Sequence, residues 1–254
     1  MKSTVFCIAG SSPALQYTGN HLISQGITVT KEPCEEMTHL LLPVPTLDAE
    51  GKIKGGISPE DLVNRIPENT VIFGGNLKHP VFHRFPCIDL LQDSQYLAEN
   101  AEITADRAII RLGAHLPVTL SGCPILVIGW GRIGKCLGQK LKALNADITV
   151  AARKETDRAA LSSLGYKAIG TADLQKELPN YRAIINTAPF PVVTECDRRS
   201  CHPRCVFLDL ASSPGIMGDS VLWERGLPGR DAPESSGLLI GKTVLRYLAR
   251  EGCA

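Results

Sequence analysis

Between Pro124 and Lys154 the chain reads PILVIGWGRIGKCLGQKLKALNADITVAARK, and this stretch restricts the fold more tightly than any other. Ile125 to Ile128 is a continuous apolar run. Gly129, Gly131 and Gly134 follow with the spacing G-x-G-x-x-G. Ile133, Leu137, Leu141 and Leu144 then recur at helical spacing, and Ile148 to Ala152 is apolar again. Strand, glycine turn, helix, strand is the arrangement that holds a dinucleotide. Gly129 permits the tight turn, Gly131 admits close approach to a pyrophosphate, and Gly134 lets the helix lie close on the strand. The helix start offers free N–H groups and a positive partial charge to the phosphates. Cofactor contacts are therefore expected at Gly129, Trp130, Gly131, Arg132, Ile133 and Gly134. The alternative is an empty glycine turn in a sheet of the same kind.

The end of the second strand adds a preference. A site for NAD usually carries Asp or Glu about 20 residues on, bonded to the ribose hydroxyls. Here the strand ends in Ala152, Arg153 and Lys154, with no carboxylate. A planar guanidinium suits the oxygens of a 2′-phosphate. NADP(H) is accordingly expected ahead of NAD(H). The competing reading is that the two cations only solvate a strand end.

With 254 residues, 44% of them hydrophobic, the chain has material for one large or two modest cores. A formal charge of +1 gives no support for nucleic acid or an acidic membrane surface as partner. No apolar run approaches the ~18–20 residues of a membrane span, and the apolar run near the N-terminus is too short for a signal peptide core. A cytoplasmic location is expected. The nine cysteines form no C-x-x-C pair, so they read as reduced small hydrophobes. Cys196, Cys201, His202 and Cys205 are the densest group, but their spacing matches no common zinc pattern and no metal is expected.

Ahead of the glycine motif, apolar runs at Thr4–Ala9, Ile27–Thr30, His39–Leu42, Thr70–Phe73 and Cys87–Leu91 predict strands. A helix from Pro13 to about Gln25, with a serine cap, and another from Pro59 to Arg65, capped by Ser58, alternate with them. Residues 93–120 predict a connection and a helix, with Leu97, Ala101, Ala105, Ala108 and Leu112 at helical spacing and Gly113 and Pro117 ending it. Further strands are expected at Tyr166–Ile169, Ala183–Asn186 and Cys205–Leu210, with helices at Thr156–Leu164 and near Ala172–Leu178, and a last helix at about Ser235–Arg250. The expected fold is α/β in two domains, a Rossmann doubly wound parallel sheet plus a smaller flavodoxin-like N-terminal α/β domain. The expected ranges are 1–92 on the substrate side, a linker helix in 93–120, the nucleotide domain in 121–230, and a C-terminal helix in 231–254 that packs back. Two such domains are expected to leave a cleft.

Several segments together resemble the family of the larger, dehydrogenase-like subunit of dipicolinate synthase. They are Leu41 to Pro45 followed by Glu50-Gly51-Lys52, Thr104-Ala105, Val127 to Gly134 with Ala152-Arg153, Asn186 to Pro189, Leu208 to Gly215, and Gly226 to Gly229 with Ala232-Pro233. The resemblance runs from about residue 27 to residue 250. The L-P-V-P and D-L-A-S-x-P-G segments are its specific part. It implies an architecture similar to two-domain 2-hydroxyacid dehydrogenases and a role in sporulation. The implied reaction is oxidation of a dihydrodipicolinate-type ring to pyridine-2,6-dicarboxylate with NADP+ as hydride acceptor. The implied partner is the second, flavoprotein-like subunit of dipicolinate synthase. A homo-oligomer is expected, and the substrate is a small dicarboxylate. The chain departs from the family pattern at Ala9 to Pro13, at Thr104 to Ala108 and at Pro214-Gly215-Ile216, which fall on substrate-side segments.

The strand ends supply the remaining candidates. Asn186, Thr187, Ala188 and Pro189, with Leu210 and Ala211, are assigned to the cofactor. Pro43, Pro45, Thr104, Ser212 and Ser213 are assigned to the substrate. Asn76, after Gly74-Gly75, is a candidate catalytic residue whose competing role is a turn of positive φ. His79 is a candidate proton acceptor. For Thr187, Ser212 and Ser213 the competing role is capping. Two other functions fit the pattern less well. A hydroxyacid dehydrogenase needs a late His paired with an acid, and none of the six histidines follows Phe207. A non-catalytic or regulatory role in NADP binding is consistent with the altered turn at Gly10 and with Ile216.

Overall fold

The computed structural model describes residues 4–251. The outer ends of the expected ranges, residues 1–3 and 252–254, lie outside the described residues. The first elements are β1 (Val5–Ile8), α1 (Pro13–Ser24), β2 (Thr28–Thr30), β3 (His39–Leu41), α2 (Pro59–Val63), β4 (Val71–Gly74) and β5 (Cys87–Asp89). The long helix α3 (Ser94–His115) follows. Next come β6 (Pro124–Ile128), α4 (Arg132–Ala143), β7 (Asp147–Ala151), α5 (Glu155–Ser163), β8 (Lys167–Ile169), α6 (Leu174–Glu177) and β9 (Ala183–Asn186). The chain closes with α7 (Glu195–Arg199), β10 (Val206–Asp209), β11 (Val221–Trp223), α8 (Leu227–Asp231) and α9 (Pro233–Glu251). Two compact units result, residues 1–100 with 228–254, and residues 101–227. The boundary falls inside α3.

The first unit has a parallel five-stranded sheet in the order β2-β1-β3-β4-β5, the flavodoxin-like arrangement. Buried β3 places Leu40 opposite Cys7 and Ile72. On this unit α9 packs against α1. A side chain at Gly237 would run into the Ala14 carbonyl, so glycine sets the close approach. The Thr18 hydroxyl donates across that seam to Gly237 O at 3.0 Å. Asp93 anchors the other end, accepting from Tyr96 N at 2.7 Å, Tyr247 Oη at 3.0 Å and Arg246 at 2.7 Å. Burial works to raise the Asp93 pKa, but these donors prevail and hold its carboxyl below the usual range. His39 of β3 is 8% exposed and stacks on Phe6 at 4.6 Å. Burial pushes its imidazole pKa down.

The second unit has a parallel six-stranded sheet in the order β11-β10-β9-β6-β7-β8. Counted within the unit this is the doubly wound 3-2-1-4-5-6 order. Both faces of its central strands are covered. Ile125 and Val127 of β6 enter one core with Val150 and Ile185. Leu126 and Ile128 enter the other with Ala151 and Ile184. This alternation explains why the strands read as unbroken apolar runs.

Local differences from the sequence expectation have simple causes. Leu144 is not on the buried face of α4; it caps the helix end and is 44% exposed. Ser12 stands at the start of α1 but its hydroxyl makes no capping bond, whereas Ser58 caps α2 through Asp61 N at 3.3 Å. Helix α3 passes through Gly113, where an added Cβ would meet open space. The segment at 171–180 is broken into α6 and two short helical turns. Two elements were not expected from the sequence. One is β11, a half-exposed three-residue edge, and the other is α7, whose Thr194 and Asp197 form a reciprocal cap.

Candidate cofactor site

The turn from β6 to α4 is shaped by three glycines with different constraints. Gly129 has φ +103°, and a Cβ there would strike the Thr187 hydroxyl. A Cβ at Gly134 would strike the Gly129 carbonyl, so α4 lies close on its strand. Gly131 meets no protein atom within 4 Å of where its Cβ would be. Its substitution is restricted by nothing inside the protein, so the space beside it is open to a ligand. Trp130 packs edge-on to Tyr166, with ring centroids 5.5 Å apart, and lies over Gly138.

A cleft of about 310 Å³ opens beside this turn. Gly129, Trp130 and Gly131 form one side of it. Ala152, Arg153 and Lys154, at the end of β7, form a second, and Thr187 to Phe190 form a third. The exposed side chains of Arg153 and Lys154 make no hydrogen bond or ion pair among the described residues. Arg158 fixes the loop beneath them, donating to Ala152 O at 3.0 Å and Arg153 O at 2.8 Å. Two uncommitted cations, a glycine opening and the start of α4 form a concave anion-binding surface.

The lip at Thr187 is held from below. Thr187 Oγ1 donates to Ile128 O at 2.9 Å. Asn186 is fully buried; its amide nitrogen donates to Ala188 O at 3.0 Å and Asp209 Oδ1 at 2.9 Å, and its oxygen accepts from Ala188 N at 2.9 Å. Asp209 is fully buried too. It accepts further from Ala211 N at 3.0 Å, Gly215 N at 2.6 Å and Ile216 N at 2.9 Å. One carboxylate thus ties the loops after β9 and β10 together, with four donors offsetting the cost of burying it.

Of the expected cofactor residues, Gly129, Trp130, Gly131, Ala152, Arg153, Lys154, Thr187, Ala188 and Pro189 line this cleft. Arg132, Ile133 and Gly134 sit in the first turn of α4 and do not. Asn186 corrects the expectation of a direct contact, since its amide hydrogens are both used inside the protein. Leu210 is packed in the core, and Ala211 has its N–H on Asp209 and its carbonyl on Trp223 Nε1 at 3.0 Å. Both are framework. Asp157, Thr171 and Phe190 also line the cleft and were not expected from the sequence, although Phe190 directly follows the T-A-P segment. Nor was Asp209 expected as the hub, although it sits inside the D-L-A-S-S-P-G segment.

The substrate-side candidates divide between the units. Asn76 has φ 61°, the turn conformation weighed against its catalytic role, and Asp89 fixes the turn through Asn76 N at 2.9 Å and Leu77 N at 3.2 Å. His79 accepts from Val81 N through Nδ1 at 3.4 Å, with Nε2 lying 3.7 Å from Glu60 Oε1. Pro43 is buried and its carbonyl accepts from the Thr46 hydroxyl at 2.9 Å. That hydroxyl in turn accepts from Gly75 N at 3.1 Å, so the Pro43–Pro45 loop and the Gly75–Asn76 turn are tied together. Thr104 is 8% exposed within α3. Ser212 and Ser213 are exposed, and Ser213 donates to Pro189 O at 3.3 Å, so neither caps a helix. Burial pushes the Cys205 thiol up to about 12. Among the described residues no three His, Cys, Asp or Glu side chains are grouped to hold a metal, and no helix is long and apolar enough to cross a membrane.

No family model matches the chain. A dipicolinate synthase polypeptide of Bacillus subtilis (strain 168) is 26% identical over 238 residues, covering 85% of this chain and 80% of the relative. The chain resembles the dehydrogenase-like component of dipicolinate synthase. The solved counterpart from Bacillus halodurans superposes with a TM-score of 0.85 at 22% identity, covering 98% of this chain and 99% of that one. A transhydrogenase from Sinorhizobium meliloti superposes with a TM-score of 0.72 at 14% identity, over 97% and 93% of the two chains. The likeness to dipicolinate synthase thus extends over nearly the whole fold and matches the resemblance carried by the sequence segments.

Proposed function

We propose that the chain is an oxidoreductase of the dipicolinate synthase kind that binds a nicotinamide dinucleotide and prefers NADP(H). The observation that carries this reading is the open turn at Gly131 beside the uncommitted Arg153 and Lys154. The start of α4 would hold the pyrophosphate, Arg153 and Lys154 the 2′-phosphate, and the lip from Thr187 to Pro189 the far side of the cofactor. When bound, the nicotinamide supplies a hydride acceptor at C4. The substrate is a dihydrodipicolinate-type dicarboxylate, and its oxidation is drawn downhill by aromatisation. Positioning therefore supplies most of the rate, and no strong acid/base pair is required. The Pro43–Pro45 loop, Thr104, Ser212 and Ser213 are proposed for the dicarboxylate, with Asn76 and His79 nearest to a catalytic role. A flavoprotein-like second polypeptide of dipicolinate synthase as partner, a homo-oligomeric state, a cytoplasmic location and a role in sporulation belong to the same proposal.

One observation favours a second reading, a nucleotide-binding component without turnover. Asn76 occupies a strained turn and His79 lies beside Glu60, so both have local structural roles. Titration with NADP+ and NAD+, followed by a dihydrodipicolinate turnover assay with and without the flavoprotein-like partner, separates the two. The oxidoreductase reading expects NADP+ to bind at least roughly tenfold tighter than NAD+, with reduction of NADP+ on turnover. Binding without turnover in either setting supports the second reading. NAD+ binding tighter than NADP+ removes the role given to Arg153.

A further inference from the structure

The first unit has a larger cavity, about 940 Å³, at the C-terminal ends of β1 and β2. Its place in the β1–α1–β2 crossover corresponds to that of the cofactor cleft in β6–α4–β7. The floor is apolar, formed by Ile8, Leu15, Val29, Ile57 and Leu62. Along α1 the wall carries Ser12, Gln16 and Asn20, whose side chains make no hydrogen bond among the described residues. At the end of β2 stands Glu32, about 20 residues beyond Gly10, where a ribose-binding carboxylate belongs in such a crossover. The Thr30 hydroxyl donates to the Glu32 carbonyl at 3.0 Å and fixes that loop. Glu32 Oε2 pairs with Arg65 at 3.0 Å, which leaves Oε1 outside the ion pair and both groups exposed at the rim.

The turn itself is closed to a pyrophosphate. Ser11 N–H is used on Lys54 O at 2.6 Å, and Pro13 has no N–H. A Cβ on Gly10 would meet that same Lys54 carbonyl. An apolar slot with a diol-binding carboxylate and no phosphate cradle fits a flat base carrying a ribose. We propose that this cavity of the first unit binds a ribonucleoside, with the ribose 2′- and 3′-hydroxyls donating to Glu32 and the base lying on the aliphatic floor. The site is separate from the proposed cofactor cleft, and none of its lining residues belongs to that cleft.

Calorimetric titration of the full chain with adenosine, AMP and 2′-deoxyadenosine, each with and without saturating NADP+, tests this. Adenosine is expected to bind with a Kd below the order of 1 mM, unchanged by NADP+. The loss of one hydroxyl in 2′-deoxyadenosine, and the exposed Glu32→Gln change, should each weaken binding at least roughly tenfold, while Arg153→Ala should leave it unchanged. Tighter binding of AMP than adenosine upholds the site and identifies the monophosphate, through Lys31 at the rim, as the preferred source of the ribosyl group. Absence of adenosine binding, its displacement by NADP+, or unaltered binding by Glu32→Gln overturns the proposal. Adenosine binding that depends on Glu32 but not Arg153 stands even where NADP+ fails to bind, so the two readings fail separately.

Discussion

The two strand–turn–helix–strand crossovers share a topology and differ in what surrounds the turn. At Gly10 a neighbouring segment closes over the backbone: Lys54 O accepts from Ser11 N, and Pro43 packs where a Cβ would go. At Gly131 nothing covers the backbone. The strand that follows ends in Glu32 in one case and in Arg153 and Lys154 in the other. The same fold therefore presents a closed turn with an anionic rim and an open turn with a cationic rim. The glycine in the first crossover is required by packing inside the protein; Gly131 is required only by what would bind there.

The loops beyond the turns are held by a carboxylate in each unit, but with different burial. Asp209 is fully buried with four donors, whereas Asp89 accepts from Asn76, Leu77 and Leu91 N–H groups at a partly exposed site. Asp209→Ala strands its donors and should cost about 4 kcal/mol in chemical unfolding, against about 1–2 kcal/mol for Asp89→Ala. Equal costs would mean that burial does not separate the two hubs. The next effect exchanges the glycines. Gly10→Val should destabilise the first unit by about 2–3 kcal/mol through positive φ and overpacking. Gly131→Val should leave the melting temperature nearly unchanged and abolish measurable NADP+ binding. A stability loss at Gly131 matching that at Gly10 breaks the contrast. Arg153→Ala should weaken NADP+ by roughly 10–30-fold while changing NAD+ little, measured by titration.

The smallest effect is a pH dependence confined to the first unit. Burial lowers the His39 pKa, so the folded unit refuses a proton that the unfolded chain accepts. The stability present at neutral pH is lost as pH falls below about 6.5 toward the folded pKa. Between pH 7.5 and 5.5 the parent chain should lose about 1 kcal/mol more than His39→Gln in urea unfolding. A loss of the same size in the variant removes His39 as the cause.

The central strands and the glycine turn were legible because their patterns are set by nearest neighbours and by close backbone approach. Ile125 to Ile128 is apolar on every residue because both faces of β6 are covered. The hub at Asp209 was not legible as a hub, since its donors come from residues on two different loops. Asn186 was misread for the related reason that a polar residue at a strand end looks available until its partners are placed. Leu144 kept the helical spacing but falls at the helix end, where the buried stripe has run out. At the closed turn, Ser12 and Pro13 signalled a helix start correctly, while the covering Lys54 segment is distant in sequence.

The placement of the tryptophans gives this chain a built-in optical reporter. It has two, Trp130 on the open turn and Trp223 at the far edge of the same sheet. Ligand entry beside Trp130 should change the intrinsic emission, with Trp223 as a steady background. The first unit has no indole, so occupancy there leaves the emission unchanged and must be followed by heat or by NMR.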